Sequence, residues 1–238
     1  MYQILHQKDL IAPAKKQLLL GILCWVMYYF GFAWILQYLF DLETLHGVYY
    51  YQIANFCASF ILVTVCFFPF LKQSKNIFPF KPMVKEVLKG YGIYYVLCYI
   101  VTMWVSFLNI LFPTAQENLN QAALDALLVY EPVPMILCTC ILVPITEELL
   151  VRGMIFAPLC RKKPWLAYLV SASVFAAIHV IASIGEISVL NAVENFLIYF
   201  PSGLVLGWIY QHTRTIFAPI LLHCTINTIS VILTFALS

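Results

Sequence analysis

Apolar runs long enough to cross a bilayer recur seven times along this chain, near 17–40, 48–71, 90–112, 133–157, 164–184, 196–211 and 216–236. A hydrocarbon core of about 30 Å is spanned by about 20 residues in a helix. Only a helix or a closed barrel satisfies its own backbone hydrogen bonds in lipid, and runs of this length point to helices. The expected fold is therefore all-α: a polytopic membrane protein of seven to eight transmembrane helices. Composition agrees, since 63% of residues are hydrophobic, 10% are charged and the mean hydropathy is +0.90, outside the soluble range. The sixth run is short and holds Pro201, Gly203 and Gly207, which predicts a broken or tilted helix. A further stretch, 114–130, is helix-prone and amphipathic and is expected on the membrane surface or as an extension of a neighbouring helix. No linker, low-complexity tract or repeat divides the chain, so residues 1–238 read as one transmembrane domain. The first 16 residues end in Lys15 and Lys16. The run that follows is too long for the apolar segment of a signal peptide, and a first transmembrane helix is expected there instead.

Charge placement supports this layout and assigns its sides. Cytoplasmic loops are enriched in Lys and Arg. Of the 13 basic residues, Lys8, Lys15, Lys16, Lys72, Lys75, Lys81, Lys85, Lys89, Arg161, Lys162, Lys163 and Arg214 all fall on one side of the seven-run layout. Asp41, Glu43, Glu117, Asp125, Glu131, Glu186 and Glu194 fall on the other. The amino terminus is then cytoplasmic, and Arg152 alone among the basic residues breaks the rule. The net charge of +2 is a topology signal; no basic face with interleaved aromatics exists outside the short loops, which excludes nucleic-acid binding. The eight cysteines (24, 57, 66, 98, 138, 140, 160 and 224) lie almost entirely within apolar runs with no Cys-x-x-Cys pair. They read as small buried hydrophobes.

Against this background the stretch ITEELLVRGMIF, 145–156, stands out, because an ionisable side chain in a spanning helix costs roughly 2.5–3.5 kcal/mol. Glu148 and Arg152 are four residues apart, a spacing that lets them pair on one helix face. Glu147 points about 100° away and has no local partner in sequence. Two other runs carry polar residues at depth: His179 follows Phe175 by four residues in the fifth, and His223 precedes Asn227 by four in the seventh. Singly, each residue reads as packing or interhelical glue. Jointly, three helices with unsatisfied polar groups are expected to converge on an intramembrane polar cavity. Glu147, two histidines and an asparagine make up a hydrolytic set: a carboxylate base, an imidazole to share the proton and donors for an oxyanion. Ser171, Ser173, Cys224 and Thr225 lack a nucleophile context, so water is the expected nucleophile.

These residues, Glu147-Glu148-x-x-x-Arg152, Phe175-x-x-x-His179 and His223-x-x-x-Asn227 in that order on successive apolar runs, resemble the three motifs of the CAAX protease and bacteriocin-processing family of intramembrane endopeptidases. That family includes the Ras-converting CAAX endopeptidase and bacterial Abi-type proteins. The intervening Gly203, Gly207, Trp208, Thr213 and Pro219 resemble its approach to the third motif, and the likeness covers about residues 133–230, a protease-like core. The resemblance implies that Glu147 and His179 activate a water, that His223 and Asn227 stabilise the tetrahedral oxyanion, and that Glu148, Arg152 and Phe175 support them. It also implies a mechanism without cofactor or metal, although Glu147, His179 and His223 are of types that could ligate zinc. The family is often described with eight spanning helices, against the seven counted here.

The implied partner is a peptide or protein substrate entering from the membrane or its interface, with a prenylated CAAX tail or a bacterial secreted or bacteriocin-type peptide as the two options. The compact length resembles the bacterial branch, hence a bacterial cell membrane ahead of the endoplasmic reticulum. Other readings are a non-catalytic scaffold or bacteriocin self-immunity protein with the same fold, and a transporter. The last is disfavoured by the absence of an inverted repeat in the hydropathy.

Overall fold

The computed structural model describes residues 10–75, 77–113 and 118–237. Lys8 and Glu117, used above to assign sides, and the first four residues of the 114–130 stretch lie outside them. Among the described residues seven helices are long and apolar enough to cross a membrane: α1 (Lys15–Leu36), α2 (Leu45–Ser74), α3 (Phe80–Leu111), α5 (Pro132–Cys160), α6 (Pro164–Ser183), α7 (Val189–Thr213) and α8 (Phe217–Leu237). The protein is all-α and an integral, multi-pass membrane protein. Between α3 and α5 lies α4 (Leu119–Tyr130), too short to span. Its first turn is capped by the Asn118 side chain, which accepts from the Gln121 N–H as an Asx cap should. No β-strand is formed among the described residues beyond one isolated bridge between Ile184 and Ile187.

Several helix edges differ from expectation. The sixth run is not short or broken: α7 is a continuous helix of 25 residues with Pro201 inside it. Its first turns hold Asn191, Glu194 and Asn195, all buried, and these polar residues hid the start of the helix from a hydropathy reading. Glu194, expected on the acidic side, is thus a helix residue and accepts a 2.7 Å hydrogen bond from the Asn109 amide. Likewise α3 begins ten residues earlier than its apolar run, so Lys81, Lys85 and Lys89 ride on its opening turns and not in a loop. Long basic side chains near a helix end can reach water while the backbone stays helical.

The central helix is α5. Of its most apolar window 56% is buried, against 6% for α3, whose Tyr95, Tyr99, Met103, Trp104 and Phe107 are exposed where lipid would lie. Two wide, π-type stretches interrupt α5, Cys138–Leu142 and Leu149–Phe156, and a proline follows each. A proline ring collides with the carbonyl four residues before it and removes one backbone donor. For Pro144 that carbonyl belongs to Cys140, and for Pro158 to Met154, so each widened stretch contains the carbonyl that must move aside. Such stretches are frequent at functional sites, and here they flank the Glu147–Glu148 pair.

Close packing holds α5, α6 and α7 together. A Cβ at Gly203 would lie 2.5 Å from the Ala172 Cα, and one at Gly207 would lie 2.9 Å from the Phe156 ring, so both glycines allow close helix approach in the manner of small-residue membrane interfaces. A large apolar cluster (Leu10, Phe67, Phe70, Leu149, Phe156, Ala157, Cys160, Tyr210 and Ile216 among its members) fills the end of the bundle bearing the 75–79, 161–163 and 214–216 connections. We call this the basic end. The acidic end bears the 37–44 and 184–188 connections and α4.

Candidate active site

Each of the three motifs rests on its own helix, and their side chains meet. Glu148 and Arg152, both fully buried, approach to 3.1 Å between Oε2 and Nε. That N–H does not point along the line of approach and makes no hydrogen bond, so the pair is held by charge. The guanidinium also donates through an Nη atom to the Gly203 carbonyl at 3.3 Å and lies over the Phe175 ring, 4.6 Å from its centroid, within cation–π range. Phe175 thus supports the arginine and borders both imidazoles, 4.7 Å from the His179 ring and 5.5 Å from that of His223. Arg152, the residue that violates the charge rule, is tied to α6 and α7 by these contacts.

Glu148 does more than pair with Arg152. Its Oε1 accepts from His223 Nδ1 at 3.0 Å, which links α5 to α8. His223 is 3% exposed, and its Nε2 lies 3.9 Å from Glu147 Oε2. One imidazole is therefore bonded to one of the two adjacent carboxylates and lies close to the other. His179 is fixed through Nδ1, 2.8 Å from the Phe175 carbonyl. A carbonyl only accepts, so Nδ1 carries the hydrogen and Nε2 keeps its lone pair. Asn227 donates through Nδ2 to the Thr139 carbonyl at 2.8 Å, within the first widened stretch of α5, so α8 is pinned to α5 a second time.

Two contacts were not legible in the motifs. The Tyr28 hydroxyl, on α1 within a wide turn at Met27–Gly31, donates to Glu147 Oε1 at 3.2 Å, so the glutamate that lacks a sequence-local partner has a tertiary one. Tyr199 of α7 stacks on His179 with ring centroids 4.4 Å apart. Tyrosine is common at membrane interfaces; the available signal for Tyr28 is its position well inside a spanning run. Tyr28→Phe keeps the ring and deletes the donor, so it should lower the melting temperature by no more than the loss of one buried hydrogen bond. It should lower kcat more than it changes KM, by about tenfold or more given roughly 1.5–3 kcal/mol for a hydrogen bond to a charged group. Steady-state kinetics of the variant check this.

Glu147, His179, His223 and Asn227 all line one cavity of about 500 Å³, together with Tyr28, Thr139 and Tyr199. A second lobe of about 240 Å³ between α3, α7 and α8 shares His179, Tyr199, His223 and Asn227 with the first. Ser171, Ser173, Cys224 and Thr225 line neither. Among the described residues no group of three or more His, Cys, Asp or Glu is placed to hold a metal ion.

A helical membrane bundle with buried carboxylates, imidazoles and an amide around an internal cavity defines a polytopic protein with a hydrolase-like polar centre. The family model for type II CAAX prenyl endopeptidase Rce1-like proteins matches residues 129–229, which include all three motifs. It is similar to a Bacillus subtilis (strain 168) protein named "Putative membrane peptidase YdiL", at 32% identity over 125 residues. The alignment covers 51% of this chain and 46% of that protein, so the chain spans less than half the length of this relative. No solved structure matches.

Proposed function

We propose that this protein is an intramembrane endopeptidase that hydrolyses a peptide bond with water. The observation that carries the reading is the meeting of Glu147, His179, His223 and Asn227, from three helices, at one internal cavity, in a chain with an Rce1-like domain. Glu147 Oε2 is buried and accepts no hydrogen bond from the protein, which makes it the atom to take a proton from an attacking water. The Tyr28 hydroxyl engages the other oxygen and orients the carboxylate. His179, its Nδ1 committed to Phe175, offers Nε2 to hold the same water.

As the water oxygen bonds to the scissile carbonyl carbon, the carbonyl becomes an oxyanion. Asn227 supplies an amide donor there, and His223 supplies Nε2 when it carries a proton. Collapse of the tetrahedral intermediate breaks the C–N bond, and the proton held by Glu147 passes to the leaving amine. Glu148, Arg152 and Phe175 position His223 and the helix of Glu147. The membrane of a bacterial cell is the proposed location, with the amino terminus cytoplasmic, and a peptide segment reaching the cavity from the membrane or its surface is the proposed partner.

In this mechanism Glu147 and the histidines act without a metal. Purified wild-type protein in detergent should cleave peptide, contain no stoichiometric zinc by elemental analysis and keep its rate through exhaustive treatment with a strong chelator. Loss to the chelator with recovery on adding zinc would replace water activation by Glu147 with zinc ligation by Glu147, His179 and His223. No turnover at all would favour a scaffold or immunity protein that keeps the fold.

A further inference from the structure

We infer that the reaction centre is reached from the acidic end of the bundle, the extracytoplasmic side, and that its substrate is an extended, uncharged peptide segment presented there. This rests on the peptidase reading above and adds the side of access and the substrate class.

Four helices, two running in each direction along the bundle, agree on the direction of opening. On α8, Leu222 and His223 are buried, Asn227 is half-buried and Ser230 is exposed. On α6, Phe175 is buried, His179 half-buried and Ala182 exposed. On α2, Gln52 and Asn55 line the cavity while Phe67 and Phe70, further along, are fully buried. On α5, Thr139 and Val143 line it, while Leu149, Leu150 and Arg152 are fully buried. In every case the open direction is toward the acidic connections.

The basic end is closed. Leu10 and Pro13 of the amino-terminal segment are buried, and the Tyr210 hydroxyl donates to the Ile11 carbonyl at 2.7 Å. Thr215, in the α7–α8 connection, donates to the Ser74 carbonyl at 3.0 Å, which binds that connection to the end of α2. An apolar groove at this end, between Phe78 and Phe217, shares no lining residue with the polar cavity.

Of the twelve Lys and Arg among the described residues, all but Arg152 lie toward the closed end, and the positive-inside rule makes that end cytoplasmic. A prenylated tail, which is presented in the cytoplasm with its lipid in the cytoplasmic leaflet, would face the sealed end. The open lobe is lined by neutral amides, Gln52, Asn55, Asn120 and Gln121, beside Phe56 and Leu124. Asp125, close by, is engaged by Gln121 at 2.9 Å and Thr234 at 3.2 Å. Asn55 Oδ1 is buried without a hydrogen-bond partner. Amide donors and acceptors on apolar walls suit the N–H and C=O groups of an extended backbone, and among the described lining residues Glu147 of the reaction centre is the one Asp, Glu, Lys or Arg.

The test reads access separately from activity. Ser230→Cys within the cavity, Asn120→Cys at its mouth as second reporter and Lys81→Cys at the basic end are each made in a Cys98→Ser background, because Cys98 lines the smaller lobe. Intact bacterial cells are treated with a charged, membrane-impermeant thiosulfonate, and the parent background sets the baseline. The cavity reporters should react from outside and Lys81→Cys only after permeabilisation; the reverse pattern overturns the inference. A fluorogenic, uncharged peptide library should be cleaved in right-side-out vesicles, and turnover confined to inside-out vesicles overturns it as well. Outside labelling with no turnover in either orientation upholds the access route and ends the peptidase reading.

Discussion

Glu147→Gln should leave the protein folded in the membrane and lower peptide cleavage by roughly 10²–10⁴-fold or to background, the range lost with a positioned general base. The change is nearly isosteric. The amide oxygen of Gln still accepts from Tyr28, whose bond to the native carboxylate is 3.2 Å, so the packing of α1 on α5 is preserved while the proton acceptor is lost. His179→Ala should be equally inactive but less stable, because it also deletes the stack on Tyr199. Asn227→Ala should keep measurable activity, about 10²–10³-fold down, as expected for one oxyanion donor. The measurements are initial rates on a peptide substrate, with thermal melting in detergent to separate catalysis from folding. Full activity in Glu147→Gln would falsify the glutamate mechanism.

Arg152→Ala should lower both stability and activity, since it leaves Glu148 buried with its cationic partner removed. Broken buried ion pairs cost roughly 3–5 kcal/mol, and this change also removes the contact with the Phe175 ring and the bond to the Gly203 carbonyl. The effect should reach the site through His223, which holds the same carboxylate. The double change Glu148→Gln with Arg152→Met removes both charges and should recover much of the melting temperature. Its Gln oxygen can still accept from His223 Nδ1, so the imidazole keeps its anchor. Arg152→Lys should fall between, with its charge kept but the second donor that reaches Gly203 lost. Melting temperature and cleavage rate for these three variants beside wild type decide the matter. An Arg152→Ala protein that melts like wild type yet is inactive would mean that Arg152 serves substrate or oxyanion and not the helix.

Much of the protein was legible before its fold. Hydropathy alone locates seven spanning helices, because a helix in lipid needs about 20 predominantly apolar residues whatever it packs against. The Glu148–Arg152 pair follows from helix geometry, since residues four apart share a face. The convergence of Glu147, His179, His223 and Asn227 follows from the cost of leaving such groups alone in a membrane. Two helix starts were missed: that of α7 because buried amides and carboxylates satisfy one another there, as Asn109 and Glu194 do, and that of α3 because its opening turns carry Lys81, Lys85 and Lys89.

Only the tertiary structure decided what partners the charged groups take. That Glu148 holds His223 in addition to Arg152, that Tyr28 reaches Glu147 across 119 positions of sequence, and that Tyr199 stacks on His179 depend on how helices pack and rotate against each other. Gly203 and Gly207 govern part of that packing through contacts with Ala172 and Phe156. Periodicity reports which residues share a face of one helix. It carries no information about which face of another helix lies opposite, and a tyrosine that turns inward has the same sequence signature as one that faces lipid.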